Sequence, residues 1–153
     1  MTHTDRVTPT GTPFDDGYQS LIAFAADPDL DFWEEAVGAP GVDGGDPIPT
    51  STMHNTALRT FAPRSLKTMT PFQVQGRFAS GTIDQVDALI NQNGWITINW
   101  PDGTEYSFVG YLKSFQPGQA QEGNPLQGVI EVIPTNQLSG VETDFQVAEQ
   151  GSA

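Results

Sequence analysis

Hydrophobic and polar residues alternate in several short stretches of this chain, and the alternation predicts strands. Phe72, Val74, Gly76 and Phe78 fall on one side of a run whose other positions are Gln73, Gln75 and Arg77. Ile96, Ile98 and Trp100 share a side in the same way. Pro101-Asp102-Gly103-Thr104 then supplies a turn, so a hairpin is expected. Its return strand, residues 106–115, carries Tyr106, Phe108 and Leu112 on one face and Val109, Tyr111 and Phe115 on the other. That predicts cover on both faces of its second half. Shorter strands are predicted at 20–25, stopped by Asp27-Pro28, at 58–61 and at 128–133.

The period changes after residue 81. Ile83, Val86, Leu89 and Ile90 recur at helical spacing. Thr82 and Gln85 are spaced as a capping box, Asp84 and Asp87 suit the positive end of the dipole, and Gly94 suits the stop. A helix of about three turns against the sheet is expected. In 29–37, Leu30, Phe32, Trp33 and Val37 predict one helical turn that inserts Trp33 into the core.

Polar stretches separate these elements. Residues 1–17 read as a flexible N-terminal arm and 138–153 as a flexible tail, leaving one domain at 18–137. Residues 116–127 form a polar loop. Residues 38–55 contain no helix or strand signal, yet connections beyond about 12–15 residues without structure are uncommon in compact domains. Val42, Ile48 and Met53 are apolar anchors there, so the expectation is an extended loop that becomes ordered on a partner.

Composition adjusts this picture only a little. The 153 residues can bury one core, while 12 Pro and 16 Gly with 37% hydrophobic residues predict much irregular chain. The absence of Cys removes disulfides and thiolate metal sites, and suits assembly in a reducing cytoplasm. No apolar run approaches the ~20 residues of a membrane span, and residues 1–16 lack the pattern of a cleaved signal. A soluble protein with no membrane partner is expected.

Charge changes the picture more. Through residue 56 the only Lys or Arg is Arg6, set against Asp5, Asp15, Asp16, Asp27, Asp29, Asp31, Glu34, Glu35, Asp43 and Asp46. Residues 57–80 then hold Arg59, Arg64, Lys67 and Arg77 with no acid, in a chain of net charge -13. Such molecules repel one another at long range yet carry complementary patches that can meet head to tail. The acidity also disfavours generic nucleic-acid binding, which rests on cations neutralising phosphates.

The candidate chemistry dissolves on inspection. Asp27-Pro28-Asp29-Leu30-Asp31 starts like a calcium loop, but Phe32 stands where Gly is required and Gly38 where the bidentate Glu belongs. His3 and His54 are far apart, without the spacing of a zinc site. Ser51 and His54 lie outside any strand-turn-helix nucleophile elbow. Gly38, Gly41, Gly44 and Gly45 are followed by no Gly-Lys-Ser/Thr. The expectation is a protein that is not an enzyme and uses no metal or cofactor.

The remaining motifs belong together. Phe32-Trp33, Pro40-Gly41-Val42-Asp43-Gly44-Gly45-Asp46-Pro47-Ile48, Thr52-Met53-His54-Asn55, Arg59-Thr60 and Pro63-Arg64-Ser65-Leu66-Lys67 resemble, in order and spacing, the major tail tube proteins of long-tailed bacteriophages. The resemblance continues through Trp100-Pro101-Asp102-Gly103, Phe108, Gly110-Tyr111-Leu112 and Phe115 to Ile133-Pro134-Thr135-Asn136, and so covers most of the chain. It implies a mainly β fold (α+β), a β-sandwich or barrel-like tail tube fold with one flanking helix and long loops. It also implies homo-hexameric rings stacked into a hollow tail tube in the virion, and DNA passing through without tight binding. Tape measure, tail tip and terminator proteins are the partners it implies.

On this reading the subunit interface comprises Val42, Asp43, Asp46, Ile48, Met53 and His54 of the loop with Arg59, Arg64 and Lys67, the cations pairing with acids of the loop or of another ring. A hexamer would carry 6 × -13 = -78 formal charges, so very low salt should hinder assembly. A tail terminator forming single rings is the alternative within structural proteins. A monomeric β-sandwich that binds carbohydrate or a host surface through Trp95, Trp100 or Tyr111 is the alternative from another class.

Overall fold

The computed structural model describes residues 20–27, 30, 32–79, 81–101 and 103–148. The N-terminal arm expected at 1–17 lies outside them. In chain order the elements are β1 (Leu21–Phe24), β2 (Phe32–Val37), β3 (Val42–Asp43), β4 (Ile48–Pro49), β5 (Phe61–Ala62), β6 (Thr68–Met69) and β7 (Phe72–Phe78), then helix α1 (Thr82–Leu89). β8 (Gly94–Asn99), β9 (Glu105–Pro117), β10 (Gln127–Pro134), β11 (Gln137–Leu138), β12 (Val141–Glu142) and β13 (Gln146–Ala148) follow. The fold is mainly β with a single helix among the described residues, as expected from the alternating patterns.

The principal sheet is antiparallel and runs β1-β8-β9-β10-β7-β2. Its two ends approach each other: the Ile22 N–H of β1 donates to Glu34 Oε1 of β2 at 3.1 Å, as in a sheet curled toward a barrel. β9 is long enough to serve two neighbours on one edge, β10 along residues 110–117 and β13 along 105–107.

The alternation in β7 is realised, with Phe72, Val74, Gly76 and Phe78 inward and Gln73, Gln75 and Arg77 exposed. Gly76 is needed because a Cβ there would collide with the Trp33 carbonyl oxygen and the Phe32 ring, which lies over it. Inward residues of all six strands meet in one cluster that includes Ile22, Phe32, Val74, Ile98, Phe108 and Ile130. Edge-to-face pairs Phe72–Phe108 (5.5 Å between centroids) and Phe78–Phe115 (5.1 Å) fix its geometry. Helix α1 closes the cluster with Val86 and Leu89.

Several expectations need correction. Residues 32–37 are a strand, not a helical turn, and Trp33 is 58% exposed while Phe32 is buried. A bulge between Glu34 and Ala36 puts Val37 on the inward face, so the strand imitates helical spacing. Helix α1 has Gly81 at its N-cap and no side-chain cap bond; Thr82 sits buried in the first turn, its Oγ1 accepting the Ala79 N–H at 3.2 Å. The helix has eight residues, about two turns, and ends before Asn91 adopts a positive φ. Ile83 lies outside its buried face.

Leu112 and Phe115 share the inward face because a second bulge falls between them: Leu112 pairs with Val132 and Phe115 with Ile130. The strand expected at 58–61 begins at Phe61 instead. Beyond residue 137 the chain forms the β11–β12 hairpin and then β13 on β9.

Candidate functional site

Between β2 and β7 the chain leaves the core and returns as a two-stranded arm. At its root Gly38 N–H bonds to Gln73 O (3.1 Å) and Thr70 N–H to Gly41 O (2.9 Å). Val42 pairs with Met69 and Asp43 with Thr68. Farther out Ile48 pairs with Ala62 and Pro49 with Phe61. The residues 38–55, expected as a loop without strands, therefore form one side of a hairpin whose other side is the basic island. Residues 41–68 are exposed apart from half-buried Ala62. Met69 is buried in the core cluster and anchors the arm.

The arm is held open by local bonds. Gly45, at φ 82, kinks the first strand over Arg64, whose Nε donates to the Asp46 carbonyl oxygen at 2.7 Å. Asp43 Oδ1 accepts the Gly45 N–H at 2.9 Å. Near the tip Thr50 and Thr60 join through their hydroxyls (2.8 Å), and Ser51 Oγ accepts the Thr60 N–H (2.8 Å). Asn55 closes the tip: its Oδ1 accepts the Thr52 N–H (3.0 Å) and its Nδ2 donates to Leu58 O (2.8 Å).

All nine residues expected at an interface lie on this arm, but in three groups. Val42 and Lys67 are at the root, Asp43, Asp46, Ile48 and Arg64 along the shaft, and Met53, His54 and Arg59 at the tip. Arg64 meets the main chain of Asp46, not its carboxylate. Arg59 and Lys67 form no ion pair among the described residues; the pairs present there are Arg77–Glu35 and Lys113–Glu131, both on the outer sheet surface.

Leu58, Phe61 and Leu66 were not anticipated. With Val42, Ile48 and Met53 they are exposed apolar side chains on the arm, Met53 fully so and Leu58 and Leu66 at 80%. Their signal in the sequence was apolar residues without any period in an acid-free, proline-containing stretch.

A cleft of about 280 Å³ opens beside the root, where the arm passes the segment after β11. Leu66, Met69 and Phe145 form its apolar part, and Glu142 and Asp144 its acidic part. Behind it Phe145 stacks on Tyr106 at 5.5 Å. The Tyr106 hydroxyl is pushed above its ordinary pKa of 10.0 by burial first and by the nearby Asp144 charge second.

Trp95, Trp100 and Tyr111, the platform residues of the carbohydrate-binding alternative, are all half-buried, and Trp100 leans on Tyr106 at 5.9 Å. That counts against the alternative. Among the described residues no three His, Asp or Glu stand together as a metal site, and no helix is long and apolar enough to cross a membrane.

No family model and no curated protein matches the sequence. Among solved structures, the chain is similar to one in the cryo-electron microscopy structure of the anti-feeding prophage baseplate, determined with sixfold symmetrisation. The TM-score is 0.57 at 11% identity, over 85% of this chain and 91% of that one. The two chains share a fold.

Proposed function

We propose that the chain is a structural subunit of a phage tail or phage-derived tail-like particle, forming hexameric rings that stack into a hollow tube for DNA. The arm carries this reading. A hairpin that exposes six large apolar side chains and leaves Arg59 and Lys67 without carboxylate partners among the described residues is a surface built to be covered. The net charge of -13 suits a wall that lets DNA pass without holding it. A fold shared with a chain of a sixfold-symmetrised baseplate supports ring assembly. In this role the protein is part of the virion, made in the host cytoplasm, with tape measure, tail tip and terminator proteins as neighbours and no catalytic function.

The same likeness favours a second reading, a ring at the end of the tail that does not stack. Negative-stain microscopy of the purified protein across a salt series separates them. Stacked tubes that form less readily at very low salt are expected; single rings would favour the second reading, and monomers throughout would leave an initiator-dependent tube subunit or a monomeric binding module and shift weight toward the module. Replacing Arg59 and Arg64 by Glu should block assembly and leave the circular dichroism spectrum unchanged. Normal tubes from that variant would remove these cations from the interface.

A further inference from the structure

We infer that the tip of the arm docks, head to tail, in the root cleft of a second copy of this chain. The inference rests on the reading of the arm as a subunit contact and names the surface that receives it. The tip carries Met53, fully exposed, and Leu58, 80% exposed, beside Arg59, which forms no ion pair among the described residues. The cleft offers the matching set in one place: apolar Leu66, Met69 and Phe145, flanked by Glu142 and Asp144. A cavity of roughly 150 Å³ accepts a benzene molecule, so one of about 280 Å³ accommodates a leucine or methionine side chain.

The occupant must come from another molecule. Residues 42–53 rise at most about 3.3 Å each, so the tip stands up to about 35 Å from its own root. The Ile48–Ala62 and Pro49–Phe61 pairs and the Asn55 bonds keep the arm extended. Across the segment between root and shaft, Arg64 Nε holds the Asp46 carbonyl oxygen, and folding back there would break that bond. A tip-to-root contact joins two different surfaces, so unless two copies exchange arms reciprocally across a twofold axis it repeats from copy to copy and builds a ring or a stack. Lys67 also lines the cleft, but two carboxylates outnumber it and the receptor stays acidic. Electrostatic complementarity then fixes which end meets which.

The absence of cysteine in the chain provides a clean test. Leu58→Cys at the tip and Thr143→Cys at the cleft are prepared as separate proteins, mixed, and oxidised under mild conditions, with microscopy of the same samples. A disulfide requires Cα atoms within about 7 Å, so a mixed dimer is expected from the mixture and no dimer from either protein alone. Adding Arg59→Glu to the tip protein should lower the yield about tenfold, equivalent to roughly 1.4 kcal/mol, and Glu142→Arg in the cleft protein should restore it. A second cleft variant, exposed Leu66→Cys, reports independently should Thr143→Cys disturb the fold. Rings or tubes without mixed product from either cleft variant overturn the docking and leave ring formation standing. Neither rings nor mixed product overturns the docking and counts against ring assembly as well. Tip-to-tip dimers from Leu58→Cys alone assign the tip to a symmetric contact and overturn the head-to-tail arrangement.

Discussion

Two leucines of identical chemistry sit in opposite environments, and truncating each to alanine separates assembly from folding. Leu58, at the arm tip, is 80% exposed, whereas Leu112, on β9, is 1% exposed. Leu→Ala removes three carbons. At about 0.8 kcal/mol for each one transferred out of water, burying the exposed part of Leu58 in a neighbouring subunit contributes about 2 kcal/mol per contact, or roughly 25-fold in the association constant. Its effect on folding should stay within about 0.5 kcal/mol, as for other surface changes. Leu112→Ala leaves a cavity against Val132 and should cost about 2.7–5.0 kcal/mol of fold stability. Sedimentation velocity over a concentration series measures the first, and urea unfolding of the dissociated protein the second. A Leu58→Ala protein that associates like the parent, or that unfolds as early as Leu112→Ala, would refute the assignment of the tip to a contact.

Other expected outcomes test the remaining parts. Gly76→Ala drives a methyl into the Trp33 carbonyl and Phe32 ring, and should lower the urea midpoint by the equivalent of about 1–3 kcal/mol; an unchanged midpoint would mean that β2 yields there without cost. Tyr106 has a raised pKa in the fold, so the folded state holds its proton where the unfolded chain has lost it. Stability is therefore fully present below the unfolded value of 10.0 and falls as pH rises from there through the folded pKa. Urea titrations at about pH 9 and about pH 11 should show Tyr106→Phe losing less than the parent. Asn55→Ala removes the acceptor for Thr52 N–H and the donor to Leu58 O, so amide exchange at Thr52 should accelerate while the unfolding midpoint holds.

The sequence made some elements legible and concealed others, for reasons visible in particular residues. β7 and β8 alternate without interruption because one side of each is buried, so their register could be read from Phe72–Phe78 and from Ile96 and Ile98. β2 was misread because its bulge spaces Phe32, Glu34 and Val37 irregularly. The bulge in β9 likewise hid that Leu112 and Phe115 face the same way. The arm left no period because neither of its faces is buried, and its pairs join residues of the forties to residues of the sixties, beyond any local window. β13 escaped for the same reason, being exposed throughout. Charge and the isolated apolar anchors Val42, Ile48 and Met53 singled out the candidate site residues, and neither could assign them to root, shaft or tip.

The arm is also a mechanical object. It is the prolongation of the β2–β7 pair: the ladder that ends at Val37 and Val74 continues through the Gly38–Gln73 and Gly41–Thr70 bonds to Val42 and Met69. Load applied at the tip therefore enters a pair of strands bonded to β10 on one side and clamped by Met69 in the core. On the way it passes residues 44–47 and 63–67, which lie outside the paired strands and are joined across by the Arg64 Nε bond to the Asp46 carbonyl oxygen. An assembly joined by such levers would bend first at that crossing, and would carry the load from root to core through main-chain hydrogen bonds.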